Sequence, residues 1–225
     1  MRNRRRHFSC KTVGAILLLD SRQISGSDGD QIETWNDKSG NSNNASQATQ
    51  ASRPTLKTGI IGGQQILRFD GSNDSYGLTN NLSAIAPWTS FFVFSRSAST
   101  KKAVSLCVGS GFEPFSCFYF NNSIVYVSSS NSGGSSALAG ALSGNTIATT
   151  DSGTSSMRHN GVSYNLTSYN LSRENTFSRI GNRPSAGDFS DCDIGFVCLA
   201  DSVMSDSVKK LVEHSLSYSF KISCS

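Results

Sequence analysis

With 225 residues, of which 36% are hydrophobic and 16% charged, the chain can build one large core, and β-sandwiches reach this length without dividing. There are 20 basic residues against 16 acidic ones, a net charge of +4. Arg2, Arg4, Arg5, Arg6 and Lys11 supply five of the positive charges, so the rest is close to neutral. That excludes a broad basic face and specific nucleic-acid recognition.

Residues 1–12 are expected to form a basic arm that anchors a partner, and residues 13–225 a single folded unit. VGAILLL at 13–19 is short, is ended by Asp20 and has no small-residue cleavage motif after it, so it is expected to be the first strand and not a signal peptide. No apolar run is long enough for a membrane-spanning helix. The six cysteines contain no CxxC pair, which argues against a zinc or dithiol site. They read as reduced, small apolar side chains.

Polar loops are expected at 21–34 and 41–54, with the turn WNDKSGN at 35–41 between them. Strand-like runs follow at 64–69, 89–96, 103–108, 115–120 and 124–128. TSFFVFSR at 89–96 is almost continuously apolar, as in a central strand covered on both faces. Residues 129–153 are dominated by Ser, Gly, Asn and Thr and read either as a mobile loop or as short strands at a sheet edge. Asn160-Gly161 between SSMRH and VSYNL specifies a type I′ hairpin. After a buried strand at 193–199, Val208, Leu211, Val212, Ser215 and Leu216 recur at helical spacing, with Ser205 as N-cap and Asp206 in the first turn.

The motifs AILLLDS (15–21), WNDKSGN (35–41), RFDGSND (68–74), HNGV (159–162), IGNRP (180–184) and DIGFVCLADSVMSDSVKKLVEHSL (193–216) resemble, in their order, the concanavalin A-like jelly-roll family. The resemblance is to its laminin-G-like branch, found in bacterial surface proteins and tailed-phage structural proteins. It implies an all-β jelly-roll sandwich of two antiparallel sheets with one short C-terminal helix, and binding of glycans or protein surfaces. Where the family commonly has a carboxylate in the strand before the terminal helix, this chain has Phe196, so no role of that acid carries over.

A sugar-binding surface would use exposed aromatic rings, and Trp88, Tyr119, Tyr126, Tyr164 and Tyr169 are the candidates. In WNDKSGN, Trp35 reads as a core or rim anchor, Asp37 and Ser39 as local backbone partners, and Gly40 as a residue of unusual φ. Asp70, Asn73 and Asp74 have oxygens that could hold calcium, but they lack EF-hand spacing, and no metal or cofactor is assigned.

Glycoside hydrolysis needs two facing carboxylates. Glu33, Glu113, Glu174 and Glu213 are scattered, and Asp191 and Asp193 read as exposed corner residues. GxSxG is absent, and His7, His159 and His214 have no partner in sequence. The expectation is therefore a non-enzymatic structural and recognition protein, a virion component of a tailed phage (capsid decoration or tail-associated) assembled in the host cytoplasm. Its expected partners are other virion proteins or host-surface glycans. The alternative is a free or cell-surface carbohydrate-binding lectin-like module.

Overall fold

In the computed structural model, Phe92 and Phe94 point to one side of their strand and Phe91 and Val93 to the other, and both sides are buried. That explains the unbroken apolar run. The structure describes residues 13–84, 87–96, 106–107, 118–121, 124–127, 134–137, 144–151, 156–165, 175–183 and 188–224.

The strands in chain order are β1 (Ala15–Asp20), β2 (Thr34–Trp35), β3 (Ala45–Ser46), β4 (Thr55–Ile61), β5 (Gln64–Asp70), β6 (Tyr76–Ala84), β7 (Thr89–Arg96), β8 (Leu106–Cys107) and β9 (Phe118–Asn121). They continue with β10 (Ile124–Val127), β11 (Gly134–Ala137), β12 (Gly144–Asp151), β13 (Ser156–His159), β14 (Val162–Asn165), β15 (Asn175–Ile180), β16 (Asn182–Arg183), β17 (Asp188–Phe189) and β18 (Asp191–Ala200). One helix, α1 (Asp206–Phe220), follows.

The large sheet runs β14-β13-β12-β7-β18-β5-β4, with β1 also paired to β18. The smaller sheet runs β2-β3-β6-β15-β8. Every pairing described in both is antiparallel. The inner core lies between the two sheets, where Trp35, Tyr76 and Ile180 of the smaller meet Phe69, Phe92, Phe94 and Leu199 of the larger. A second core lies between the outer face of the large sheet and α1, and contains Phe91, Val93, Phe196, Val212, Leu216 and Phe220. The expected two-sheet all-β sandwich with one C-terminal helix is the fold observed. Each fully buried aromatic or aliphatic side chain contributes about 1.5–3 kcal/mol.

A bulge in β18 makes this layering possible. Cys192 and Ile194 face the inner core, and strict alternation would send Phe196 there too. The β18–β7 register shifts between Ile194 and Phe196, so Gly195 takes up one position and the parity reverses. Val197 and Leu199 then face inward, while Phe196, Cys198 and Ala200 face the helix. Phe196 is thus a packing residue under α1. A Cβ on Gly195 would come within 2.8 Å of the Phe220 ring.

Two elements differ from the sequence expectation. GNTIATTD, within the segment read as a loop or sheet edge, is β12, paired residue for residue with β7 from Gly144↔Arg96 to Asp151↔Thr89. On α1, Leu211 is exposed at 51%, and the buried side chains are Lys209, Val212, Glu213, Leu216 and Phe220. Two partners under the helix hold those charges: Lys209 meets Asp151, and Arg158 Nε donates to both Glu213 oxygens at 2.8 and 3.0 Å. Of the segment read as a loop or sheet edge, residues 129–133, 138–143 and 152–153 lie outside the described residues.

The Asn160-Gly161 turn forms as expected, with φ of 46° and 88°, and Ser205 caps α1. Cys192 and Cys198 are buried in β18, and Cys224 is partly buried. No helix among the described residues is long and apolar enough to cross a membrane.

Candidate functional site

Asp37 organises one rim of the sandwich. Its Oδ1 accepts from the Leu18 and Ser39 N–H groups at 2.9 and 2.8 Å, and its Oδ2 accepts from the Ser39 hydroxyl and the Asn43 N–H. These bonds fasten WNDKSGN to β1. Gly40 supplies a φ of 104°, and the Trp35 ring sinks into the core at 1% exposure. The structural reading of this turn is the observed one.

The loop preceding Trp35 is pinned to β4. Gly29 N–H donates to Leu56 O, Leu56 N–H to Asp30 O and Ile32 N–H to Pro54 O, all between 2.8 and 3.0 Å. The Thr58 N–H bonds to Asp28 and holds its carboxyl below the usual range. The Tyr76 hydroxyl donates to Ile32 O at 2.7 Å, and burial, aided by the charge of Asp74, raises the phenol well above its usual value.

Between this loop and the turn lies a groove of about 750 Å³. Its polar lining is Asp20, Gln23, Asp30, Gln31, Glu33, Asn36, Lys38 and Gln50, with Ile24, Ile32 and Trp35 as apolar ground. Asp20 is 5% exposed and is gripped by Arg22, which donates through Nε and Nη2 at 2.8 and 2.7 Å. Glu33 receives Arg53 Nη2 at 2.7 Å. One oxygen of Asp30 accepts from the Ser27 N–H at 2.7 Å. Trp35 Nε1 is buried without a hydrogen-bond partner. A second depression of about 730 Å³, lined by Arg22, Gln64, Tyr218, Lys221 and Ile222 among others, also borders Arg22.

Of the aromatic residues suggested as sugar platforms, Trp88 and Tyr164 have described side chains, and neither lines this groove. Trp88 is 1% exposed within the inner core and offers no ring face to a ligand. Tyr164 is half-buried against that core, 6.5 Å from the His159 ring. Tyr119 and Tyr126 are register partners in a separate three-stranded sheet of β9, β10 and β11. Tyr169 and the arm residues Arg2, Arg4, Arg5, Arg6 and Lys11 lie outside the described residues.

The RFDGSND oxygens are engaged locally. Asp70 accepts from the Ser72 and Asn73 N–H groups, Asp74 accepts from the Asp70 N–H, and Asn73 donates to Ala51 O. Burial, with the charge of Asp70, pushes Asp74 up to about 6. Among the described residues, no three His, Cys, Asp or Glu side chains gather as a metal-binding group. Asp193 is paired with Arg68 at 2.7 and 2.9 Å.

The sequence reading missed Asp20, Asp30 and Glu33 as neighbours because they come from a strand end and an irregular loop, which have no shared period. The only available signal was the density of Gln, Asn and Asp through 20–36.

Fold and groove together define a β-sandwich with a polar cleft at its rim. No protein-family model and no curated protein matches the chain. Solved structures do. Trypanosoma rangeli sialidase, in complex with 2,3-difluoro-KDN, matches with a TM-score of 0.61 and 12% identity over 92% of this chain and 33% of that one. An arabinofuranosidase complexed with arabinofuranosyl-α-1,2-xylobiose gives 0.62 and 14% over 84% and 51%. A GH54 α-L-arabinofuranosidase soaked with a cyclic sulfate inhibitor gives 0.59 and 15% over 84% and 51%.

The chain thus spans a third to a half of these proteins, and at such identities the likeness is one of fold. The comparisons support an all-β sandwich and do not show the concanavalin A-like or laminin-G-like family. They also correct the functional expectation. These structural neighbours are glycosidases, which contradicts the expectation of a non-enzymatic virion component.

Proposed function

We propose that the chain is a carbohydrate-active β-sandwich that takes a saccharide into the rim groove and acts on it there, within the broad jelly-roll architecture its motifs resemble. One observation carries the reading: three carboxylates and the carboxamides of Gln23, Gln31, Asn36 and Gln50 line one saccharide-sized cleft. Carboxylates accept from sugar hydroxyls, and carboxamides both donate and accept, so together they match the vicinal diols of a sugar ring. The glycosidase neighbours lend support at the level of fold.

Glycosidases place a general acid and a second carboxylate on either side of the scissile bond. In this groove Asp30 and Glu33 are the exposed carboxylates, while Asp20 is buried under its ion pair with Arg22. Asp30 and Glu33 are assigned to proton transfer and charge stabilisation at a bound glycoside, and Asp20 to holding the groove wall.

Release of 4-nitrophenol from 4-nitrophenyl glycosides tests this, starting with the α-L-arabinofuranoside that was soaked into one of the arabinofuranosidases. Turnover is expected, with a loss of about 100-fold or more in Asp30→Asn or Glu33→Gln. A panel of glycosides that is neither bound nor cleaved would refute the proposal.

A further inference from the structure

We propose that the groove selects neutral saccharides and rejects those bearing a carboxylate. The inference rests on the saccharide reading above and concerns which sugars the cleft accepts. Among the described residues, four ionisable side chains line it, Asp20, Asp30, Glu33 and Lys38, so three anionic groups stand against one cationic group.

Carboxylates are best held by a guanidinium, whose two parallel N–H groups match both oxygens. Among the described residues, no arginine lines this groove. The two that stand behind it are engaged by the protein itself. Arg22 is bound to Asp20 through two nitrogens and lies 4.8 Å over the Phe220 ring. Arg53 donates to Glu33, Gln47 O and Ala48 O at 2.7, 2.9 and 2.9 Å.

A sugar carboxylate entering the cleft would therefore meet the Asp30 carboxylate, which forms no ion pair among the described residues, and the already engaged oxygens of Asp20 and Glu33, with Lys38 as the one cation lining the cleft. Like charges brought together at a binding surface exclude a ligand more effectively than a missing contact does. A neutral ring meets no such opposition, because hydroxyls can donate to Asp30 and Glu33 and exchange hydrogen bonds with the carboxamides. The same cleft that admits a neutral pentose or hexose unit thus discriminates against sialic and uronic acids.

The test is a comparison of affinities of the full chain for arabinofuranosyl-α-1,2-xylobiose and for sialic acid. Glucose and glucuronic acid serve as a matched pair that isolates the carboxylate. The neutral sugar of each pair is expected to bind about tenfold or more tightly, with the ratio shrinking as salt rises. Glu33→Gln removes one anionic group and leaves Arg53 without its charged partner, so the ratio should narrow in that variant. Acidic sugars binding as tightly as neutral ones, or a ratio unmoved by Glu33→Gln, would overturn the selectivity while leaving the saccharide reading in place. Binding of none of the four would overturn that reading and the selectivity with it.

Discussion

Two ion pairs lie almost out of water beneath α1. Asp151 and Lys209 are 1% and 3% exposed, and Arg158 and Glu213 are 8% and 2%. Taking such charges from water is costly, so each is tolerable only with its partner and the surrounding hydrogen bonds in place. Arg158 also donates to Ser163 Oγ and Gly161 O at 2.9 and 2.8 Å, which leaves its guanidinium well satisfied. Removing one member strands the other: Glu213→Ala should cost about 3–5 kcal/mol, read from the urea midpoint. The double change Arg158→Met with Glu213→Leu should recover most of that loss. A single variant as stable as the parent would show that water reaches the pair.

Asp74 makes a pH-dependent contribution of the opposite kind. Its folded value of about 6 lies above the ordinary 3.8, so the native state holds the proton more tightly than the unfolded chain does. Stability from this group therefore falls as pH rises from about 4 to 6, and the whole penalty is present above 6. Asp74→Asn keeps an oxygen for the Asp70 N–H, 3.0 Å away. The variant should match the parent near pH 3.5–4 and exceed its stability above pH 6 in urea unfolding at a series of pH values. An identical pH slope in both proteins would contradict this origin.

Among the elements, α1 and the β4–β5 hairpin depend on each other through Gly62. Its φ is +60°, and a Cβ there would lie 1.9 Å from Phe220 O. Gly62→Ala must move the hairpin tip away from the helix end, which should cost at least ~2 kcal/mol in thermal or urea unfolding. A cost below ~0.5 kcal/mol would mean that the contact yields freely.

The strands were legible wherever a period or a turn specified them. β7, the Asn160-Gly161 hairpin, β18 and the Ser205 cap all carry local signals. β12 was not, because a central strand made largely of Thr, Ala and Asn looks like a loop until β7 supplies its partner. On α1, Val208, Val212 and Leu216 pack beneath the helix as their spacing suggested, but Leu211 was misplaced. Apolar spacing suggested Leu211, whereas Asp151 and Arg158, about 55 residues away in sequence, decide which way the helix is turned.

At the scale of the whole molecule, sequence led to the sandwich but not to its rim groove. Single aromatics were sought, and Trp88 proved to be core because a large ring beside a central strand is worth more buried than displayed. The groove arises instead where β1 ends, a loop is pinned to β4 and the WNDKSGN turn closes the rim. Its lining is assembled from the third dimension, and only the local role of Asp37 and Gly40 could be read ahead. The proposal of a carbohydrate-active sandwich in place of the expected particle component likewise drew on fold comparison, since no spacing of acids announced it.

The most direct test is to follow the side-chain amide resonances of Gln23, Gln31, Asn36 and Gln50 by NMR while arabinofuranosyl-α-1,2-xylobiose is titrated into the protein. Saturable shifts at these four, with little change at Gln64 by the second depression, are the expected result. Shifts that are absent, or that centre on Gln64 while the four stay fixed, would contradict a saccharide site in the rim groove.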